Sequence, residues 1–228
     1  MEELIIGIDD AGRGPIIGPM VLAGILIKKS QEERLKNWGV KDSKLLMSKK
    51  RTEIAQNLLE NFETHVELTS VEEIDSRTKM GTNLNRIEAI KTAKIINFLI
   101  EKIQEPVGKI KIIVDCPSTN ILDWENYLKK YIDNLDIVQL FVEHKADFNH
   151  LSCAAASIVA KHTREIEIAK IKKVLGIDFG SGYCSDPLTQ EFLEKNADRF
   201  KDLNIIRTSW DTWDKLIAKK EQKALGDF

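Results

Sequence analysis

Cysteine is scarce in this sequence, and its three cysteines, Cys116, Cys153 and Cys184, are widely spaced. Their number and spacing fit neither a disulfide framework nor the paired ligands of a zinc site. Long apolar runs are also absent, so the sequence contains no candidate for a membrane-spanning segment. The first residues include two glutamates and no basic residue, which is unlike a secretory signal. We therefore expect a cytoplasmic protein that does not bind membranes.

An excess of positive charge is missing as well, because 34 Lys and Arg face 36 Asp and Glu, for a net charge of −2. This balance excludes a protein that coats nucleic acid by bulk electrostatic attraction, but it permits a local basic patch or a metal site. One basic cluster, Lys49, Lys50 and Arg51, opens a predicted helix. It is either a solvated helix end or a patch that contacts phosphate. The 228 residues are enough for one large domain with a buried core.

The most informative stretch lies near the N-terminus, where an apolar run of strand length ends in Asp9 and Asp10. Glycines at 7, 12, 14 and 18 and prolines at 15 and 19 surround these acids. Glycine leaves the backbone open to close approach, so the stretch predicts an acidic site beside a slot lined by backbone. An ordinary turn is the alternative, but a turn requires neither two adjacent acids nor Gly-Pro twice.

Glycine-rich loops after strands also bind phosphate in dinucleotide-binding folds, where they open into a helix. Here the following residues, 20–27, are rich in β-formers and predict a second strand. The two acids would also repel a phosphate unless a cation lay between them. Dinucleotide binding is therefore disfavoured.

The rest of the chain predicts an α/β fold. A third strand at 64–69 completes a three-strand meander, and long helices at 83–104 and 151–175 alternate with strands at 109–115 and 137–142. This order is typical of a mixed sheet flanked by helices. A charged helix at 210–225 closes the chain.

Acidic residues follow three of the predicted strands: Asp9, Asp115 and Asp147. Strands joined by helical crossovers run parallel, and their C-terminal ends lie at one edge of the sheet, where ligands of open α/β sheets collect. If the first, fourth and fifth strands are neighbours, these carboxylates converge. Asp10 joins them only if the strand bends, since adjacent strand residues face opposite sides.

Carboxylates brought this close repel one another, and a hard divalent cation is the natural partner. All-oxygen ligation favours Mg²⁺ or Mn²⁺, and a pair of such ions can support phosphodiester hydrolysis. Each acid alone could equally begin a turn or cap a helix. Three strands that all end in Asp are not required by turn chemistry.

The chain resembles ribonuclease HII, the type 2 ribonuclease H of prokaryotes, in its archaeal form. The resemblance covers nearly the whole chain in order, and it rests on the following segments: 7–15 with Gly18 and Pro19, 42–44, Val114-Asp115, 145–147, 155–161 with Arg164, 180–187, and 207–210.

The resemblance implies an RNase H-like catalytic domain over residues 1–197 and a helical C-terminal appendage over 198–228, packed on or near the substrate cleft. It implies an endonuclease that cuts the RNA strand of RNA–DNA hybrids and cuts 5′ of ribonucleotides embedded in duplex DNA, leaving 3′-hydroxyl and 5′-phosphate ends. A monomer is expected, and a contact with a sliding clamp is an open question.

The site residues that the resemblance implies fall into two groups. The catalytic and metal-binding acids, which would hold two Mg²⁺ or Mn²⁺ ions with substrate bound, are Asp9, Asp10, Asp115 and Asp147. The substrate-binding residues are Gly12, Arg13, Gly14, Ser43, Lys44 and Tyr183. Of these, Gly12–Gly14 would read the ribose 2′-hydroxyl, and Tyr183 would pack against the sugar of the next, deoxy, nucleotide.

The chain departs from the family pattern at Asp10, where the family usually has Glu. Two alternatives stay open, of which the first rests on this change. One is a catalytically weakened module that binds hybrids, and the other is a different nuclease of the RNase H-like fold, such as a junction resolvase or a type 1 ribonuclease H.

Overall fold

The computed structural model describes residues 2–40, 47–104 and 108–226. A five-stranded mixed sheet with the order β3-β2-β1-β4-β5 organises it. The strands are β1 (Leu4–Ala11), β2 (Met20–Lys28), β3 (Glu63–Thr69), β4 (Ile110–Asp115) and β5 (Val138–Glu143). Strand β1 pairs antiparallel with β2 and parallel with β4, and β4 pairs parallel with β5. The predicted meander followed by parallel strands is confirmed.

Helices alternate with the later strands, as the sequence predicts. They are α1 (Glu32–Asn37), α2 (Ser48–Asn61), α3 (Val71–Lys79), α4 (Leu84–Glu101), α5 (Ile121–Lys129), α6 (Ala146–Asn149), α7 (Leu151–Leu175), α8 (Pro187–Phe200) and α9 (Asp211–Gly226). Among the described residues, no helix is both long and apolar enough to cross a membrane. The one-turn helix α6 has no counterpart in the sequence prediction.

The described residues form two compact units. The sheet unit contains Met1–Ala11, Val21–Leu68 and Leu84–Thr163, and the helical unit contains Gly12–Met20, Thr69–Asn83 and Arg164–Phe228. The chain passes between the two units after Ala11, Met20, Leu68 and Asn83, and again after Thr163, within α7. The boundary between residues 197 and 198 stays a prediction.

In the sheet unit, the first half of α7 packs closely against the sheet. Its small residues, Cys153 and Ala154–Ala156, are buried in the same core as the strand residues Ile5 and Val21. Gly7 of β1 permits this approach, because a Cβ at that position would clash with the backbone of Ser152. Small residues on both elements therefore bring the helix onto the strand that carries Asp9.

The helical unit has a separate core. Phe192 and Phe200 of α8 stack with ring centroids 5.8 Å apart, and Phe179 packs against Phe192 at 5.5 Å. Ile16 and Ile17, from the glycine-rich stretch, are fully buried in this core. The stretch that follows the acids is thus anchored by apolar side chains inside the helical unit.

Candidate active site

Two of the predicted acids lie at the C-terminal ends of neighbouring parallel strands. Ile8 of β1 pairs with Val114 of β4, so Asp9 and Asp115 are the next residues along the two strands. Parallel pairing without a bulge brings both side chains to the same edge of the sheet. The predicted convergence of these strand ends is confirmed.

Asp147 lies close to Asp9 and Asp115, but a helix and not a strand positions it. The expectation that the fifth strand ends in Asp147 is wrong, since β5 ends at Glu143 and Asp147 lies in the first turn of α6. Between them Lys145 adopts a left-handed conformation with φ of 60°. Such a conformation costs a non-glycine residue about 1 kcal/mol or more, and here it turns the chain from the strand into the helix.

Glu143, the acid that ends β5, is engaged elsewhere. Its carboxylate lies 2.8 Å from Nε2 of His150 and accepts a hydrogen bond from the Asn149 amide at 3.3 Å. It is therefore held by the last residue of α6 and by the residue that follows the helix.

Asp9, Asp115 and Asp147 form a compact group, which we call the three-acid group. One carboxylate oxygen of each lies within 4.8 Å of those of the other two. Asp9 and Asp147 are buried, and Asp115 is half-buried. The backbone amide of Ala146 donates to Oδ1 of Asp115 at 3.1 Å, which ties the start of α6 to the end of β4.

The group is electrostatically unfavourable in the chain alone. Burial raises the pKa of Asp9 well above its usual range, and the negative charges of Asp10 and Asp115 raise it further. A divalent cation would relieve this repulsion and replace the lost hydration of the carboxylates. A set of three carboxylates with partial burial is a donor set suited to Mg²⁺ or Mn²⁺. The residues present therefore fit a metal ion.

Asp10 is not part of the three-acid group. Strand β1 continues through Ala11, so the bend that would turn Asp10 to the same side as Asp9 is not formed. The backbone amide of Asp10 instead donates to Oδ1 of Asp9 at 2.7 Å. The structure thus brings together three of the four predicted acids.

Cys153 belongs to the packing of this region. Its thiol is fully buried and donates to the carbonyl of Ile113 at 3.2 Å. Burial raises its pKa well above the usual value, as do the charges of Asp9 and Asp115. The residue therefore stays a neutral thiol, which is a poor metal ligand and a poor nucleophile.

The predicted substrate-binding glycines belong to the helical unit. Gly12 has φ of 82°, and a side chain there would clash with Arg164 and would lie 2.8 Å from the carbonyl of Pro19. Gly12 is buried, Arg13 is half-buried and Gly14 is exposed. The position of Gly12 therefore excludes any side chain.

Tyr183 lies beside this segment in the same unit. A Cβ on Gly14 would be 3.9 Å from the Tyr183 ring, and the guanidinium of Arg164 lies 5.3 Å from the ring centroid. The preceding carbonyl, of Gly182, accepts from the amides of Ile16 and Ile17 at 2.9 and 3.2 Å. Hydrogen bonds between backbones thus fix the tyrosine loop to the glycine-rich stretch, with Tyr183 40% exposed.

Arg164, for which the sequence indicated no role, binds both the glycine-rich stretch and the tyrosine loop. One Nη donates to the carbonyl of Ser181 at 3.2 Å and to that of Ile17 at 3.4 Å. Burial lowers the pKa of the Arg164 guanidinium, and the neighbouring Tyr183 and Glu165 oppose this effect. No spacing rule predicts such a role, because its partners are backbone carbonyls distant in sequence.

Ser43 and Lys44 lie outside the described residues. Their assignment to substrate binding stays a prediction.

The family model described as Ribonuclease HII matches residues 6–213 of the chain. The chain belongs to the ribonuclease HII family. A ribonuclease HII of Methanocaldococcus jannaschii is 42% identical in an alignment that spans 97% of this chain and 98% of that protein.

Two solved ribonuclease H structures share the fold. The ribonuclease H2 of Pyrococcus horikoshii superposes with a TM-score of 0.81 at 35% identity, covering 95% of this chain and 98% of that one. The RNase HII in a PCNA:RNase HII complex from Archaeoglobus fulgidus gives 0.80 at 36% identity, covering 93% and 96%. The predicted RNase H-like fold with a helical C-terminal region is confirmed.

Membership in the ribonuclease HII family makes the chain an endoribonuclease of a family that cleaves RNA in RNA–DNA hybrids. Ribonucleases H depend on metal ions. Among the described residues, the three-acid group is the place where at least three side chains that can bind a metal ion lie close together. The family assignment and the geometry of the site therefore agree.

Proposed function

We propose that this member of the ribonuclease HII family cuts RNA–DNA hybrids and also cuts 5′ of single ribonucleotides embedded in duplex DNA, leaving 3′-hydroxyl and 5′-phosphate ends. The observation that carries the proposal is the three-acid group, in which three carboxylates from β1, β4 and α6 offer oxygens within 4.8 Å of one another. Metal ions held by these carboxylates would stabilise the negative charge that develops on the attacking and leaving oxygens when a phosphodiester is hydrolysed.

Asp9, Asp115 and Asp147 would hold the metal, with Asp10 as a further ligand when substrate is bound. Two Mg²⁺ or Mn²⁺ ions held there would supply a Lewis acid to the attacking water and to the leaving 3′-oxygen. The protein contributes the placement of its carboxylates. Burial keeps water from competing for Asp9 and Asp147, and the bond from Ala146 N–H to Asp115 fixes the orientation of that side chain.

Recognition of the ribonucleotide is assigned to the helical unit. Gly12, Arg13 and Gly14 would bind the 2′-hydroxyl, and Tyr183 would pack against the sugar of the following deoxynucleotide. The exposure of Gly14 and Tyr183, next to each other, supports this assignment. The 2′-hydroxyl is the group by which a protein distinguishes RNA from DNA.

A second candidate is a module that binds hybrids and cuts them weakly or not at all. The observation that favours it is the position of Asp10, a residue that replaces the usual Glu of the family and lies outside the three-acid group. This candidate shares the recognition residues and differs only in turnover.

A cleavage assay separates the candidates. The wild-type protein is incubated with an RNA–DNA hybrid, a DNA duplex with one ribonucleotide and an all-DNA duplex of the same sequence, each with Mg²⁺, Mn²⁺ or EDTA. We expect metal-dependent cleavage of the first two, with a 5′-phosphate on the downstream product. Binding of both without cleavage under any metal condition would instead support the binding module. Cleavage of the hybrid alone would indicate type 1 specificity.

We also propose that the C-terminal segment contacts PCNA. The support is the solved complex of PCNA with an RNase HII that is 36% identical to this chain. In sequence, the apolar residues Ala224, Leu225 and Phe228 follow the charged part of α9. Removal of residues 222–228 should abolish binding to immobilised A. fulgidus PCNA and leave cleavage of a short hybrid unchanged. Retained binding would place the contact elsewhere.

A further inference from the structure

Arg207 is a fully buried arginine of the helical unit whose guanidinium binds the backbone of the glycine-rich stretch. Nη2 donates to the carbonyl of Gly12 at 2.6 Å, and Nη1 donates to that of Arg13 at 2.8 Å. Nε and Nη2 donate to the carbonyl of Gly18 at 3.0 and 2.9 Å. A single side chain therefore binds backbone carbonyls at both ends of residues 12–18.

These bonds determine the direction of two backbone amides. The described residues contain no cis peptide bond, and in a trans peptide the N–H points opposite to the C=O of the same unit. Because the carbonyls of Gly12 and Arg13 point to Arg207, the N–H groups of Arg13 and Gly14 point away from it. Donation from a cation to a carbonyl also polarises the peptide and makes its N–H a stronger donor.

We propose that Arg207 is a positioning residue for ribonucleotide recognition, which orients and polarises the amides of Arg13 and Gly14 as donors to the ribose 2′-hydroxyl. The role rests on the proposed function, in which the Gly12–Gly14 segment reads that hydroxyl. Arg207 itself is 0% exposed, so it would act through the backbone of this segment and not by touching the substrate.

The backbone of Arg207 is held firmly enough for this role. Its amide donates to the carbonyl of Ile16 at 2.8 Å. The next two residues, Thr208 and Ser209, are fixed by Asp75 of α3, whose carboxylate accepts from both amides at 2.8 and 3.2 Å and from both hydroxyls at 2.7 and 2.6 Å. Asp75 is itself buried, so four hydrogen bonds anchor the segment that carries the guanidinium.

The role requires arginine in particular. The planar guanidinium offers donors in fixed directions, so that one group can reach three carbonyls, and its face stacks on aromatic rings. The Trp210 ring centroid lies 4.9 Å from Cζ of Arg207. A lysine at 207 would keep the charge but would lose the fixed fork and the stacking.

The test is the preference of the protein for ribose, measured as a ratio of dissociation constants. Binding of a DNA duplex with one ribonucleotide and of the matching all-DNA duplex is measured in EDTA, which prevents cleavage. The proteins are wild type, Arg207→Met, Arg207→Lys and the control Leu193→Ala, which removes a buried side chain from the core of the same unit. All are measured well below their melting temperatures.

We expect Arg207→Met to reduce the ribose preference by about tenfold and Arg207→Lys to reduce it partially, because the donors lose their fixed direction. Leu193→Ala should keep the wild-type ratio although it is less stable. A wild-type preference retained within twofold by both Arg207 variants would overturn the positioning role alone. If Arg207→Met does not fold, the result for Arg207→Lys alone tests the role. An unchanged ratio of dissociation constants for that variant would then overturn it. A wild type without ribose preference would overturn the proposed function and this role with it.

Discussion

The three-acid group of the sheet unit brings like charges together in a partly buried place. In the Gly12–Gly14 segment of the helical unit, by contrast, the carbonyls of Gly12 and Arg13 are bonded to a buried cation, Arg207. In the first region burial raises the pKa of Asp9, which means that the ionised group is disfavoured in the folded chain. In the second region the polar groups that anchor the segment are paired within the protein.

This difference separates two ways of building a functional site. The acids are arranged for a ligand that the chain does not supply, so their arrangement lowers the stability of the metal-free protein. The Gly12–Gly14 segment is held by the protein itself, so the hydrogen bonds that hold it stabilise the folded chain. Substitutions in the two regions should therefore have opposite effects on stability, although both reduce function.

The largest expected effect is on cleavage. Asp9→Asn and Asp115→Asn should each lower the rate on an RNA–DNA hybrid by about a thousandfold or more, since metal ions contribute several kcal/mol of transition-state stabilisation. Initial rates with Mn²⁺ measure the effect, and circular dichroism checks the fold. Asp136→Asn, at an exposed position, is the matched control and should cut at the wild-type rate. Near wild-type cleavage by either site variant would remove the acids from the mechanism.

The next effect is on stability. Arg207→Met should lower the free energy of unfolding by about 3 kcal/mol or more, because it leaves the buried carbonyls of Gly12 and Gly18 and the partly buried carbonyl of Arg13 without their charged donor. Urea unfolding of the metal-free protein at neutral pH measures the change. Asp9→Asn, measured in parallel, should raise the free energy of unfolding. A change of the same sign in both variants would break the contrast between the regions.

Tyr183 should have a smaller effect, restricted to recognition. Tyr183→Ala should slow cleavage at a single embedded ribonucleotide by about tenfold, because stacking of this kind contributes about 1–3 kcal/mol. Tyr183→Phe keeps the ring over the Arg164 guanidinium and should stay near wild type. Single-turnover rates on one duplex compare the three proteins. Equal rates for Tyr183→Ala and wild type would show that the ring does not position the substrate.

Asp10→Glu should produce the smallest change, of about a few-fold. The longer side chain can reach toward the metal site from a strand that does not bend, and Mg²⁺ gains most because it tolerates irregular coordination poorly. Rates with Mg²⁺ and with Mn²⁺ on the same embedded-ribonucleotide duplex give the comparison. A gain with Mn²⁺ that equals or exceeds the gain with Mg²⁺ would show that the surrounding backbone already compensates for the shorter side chain.

The sequence predicts the parts of this site that regular strands position. Asp9 and Asp115 follow apolar runs that pair in parallel, so their convergence follows from the alternation of elements. The sequence predicts that Asp147 lies near them, but it does not predict the helix that carries Asp147. That helix, α6, has only one turn and depends on the left-handed Lys145. Sequence periodicity does not reveal an element of that length.

The role of Arg207 could not be predicted in the same way. Its partners Gly12, Arg13 and Gly18 are separated from it by 189 to 195 residues and are contacted through their carbonyls. A carbonyl is present at every residue, so no side-chain pattern indicates which ones an arginine will bind. The resemblance to the family marks the segment 207–210 but does not assign a contact to it.

The most direct test of the central claim, that the three-acid group is a cation site built from repelling carboxylates, is thermal melting of wild type and Asp9→Asn at several pH values, with and without Mn²⁺. A carboxyl whose folded pKa is raised contributes most favourably below its unfolded pKa of about 4, and this contribution is lost as pH rises through the folded pKa. Without metal, Asp9→Asn should therefore melt higher than wild type by a margin that grows with pH in this range. Mn²⁺ should raise the melting temperature of wild type much more than that of the variant. A margin that does not change with pH, together with equal shifts on adding Mn²⁺, would contradict the account.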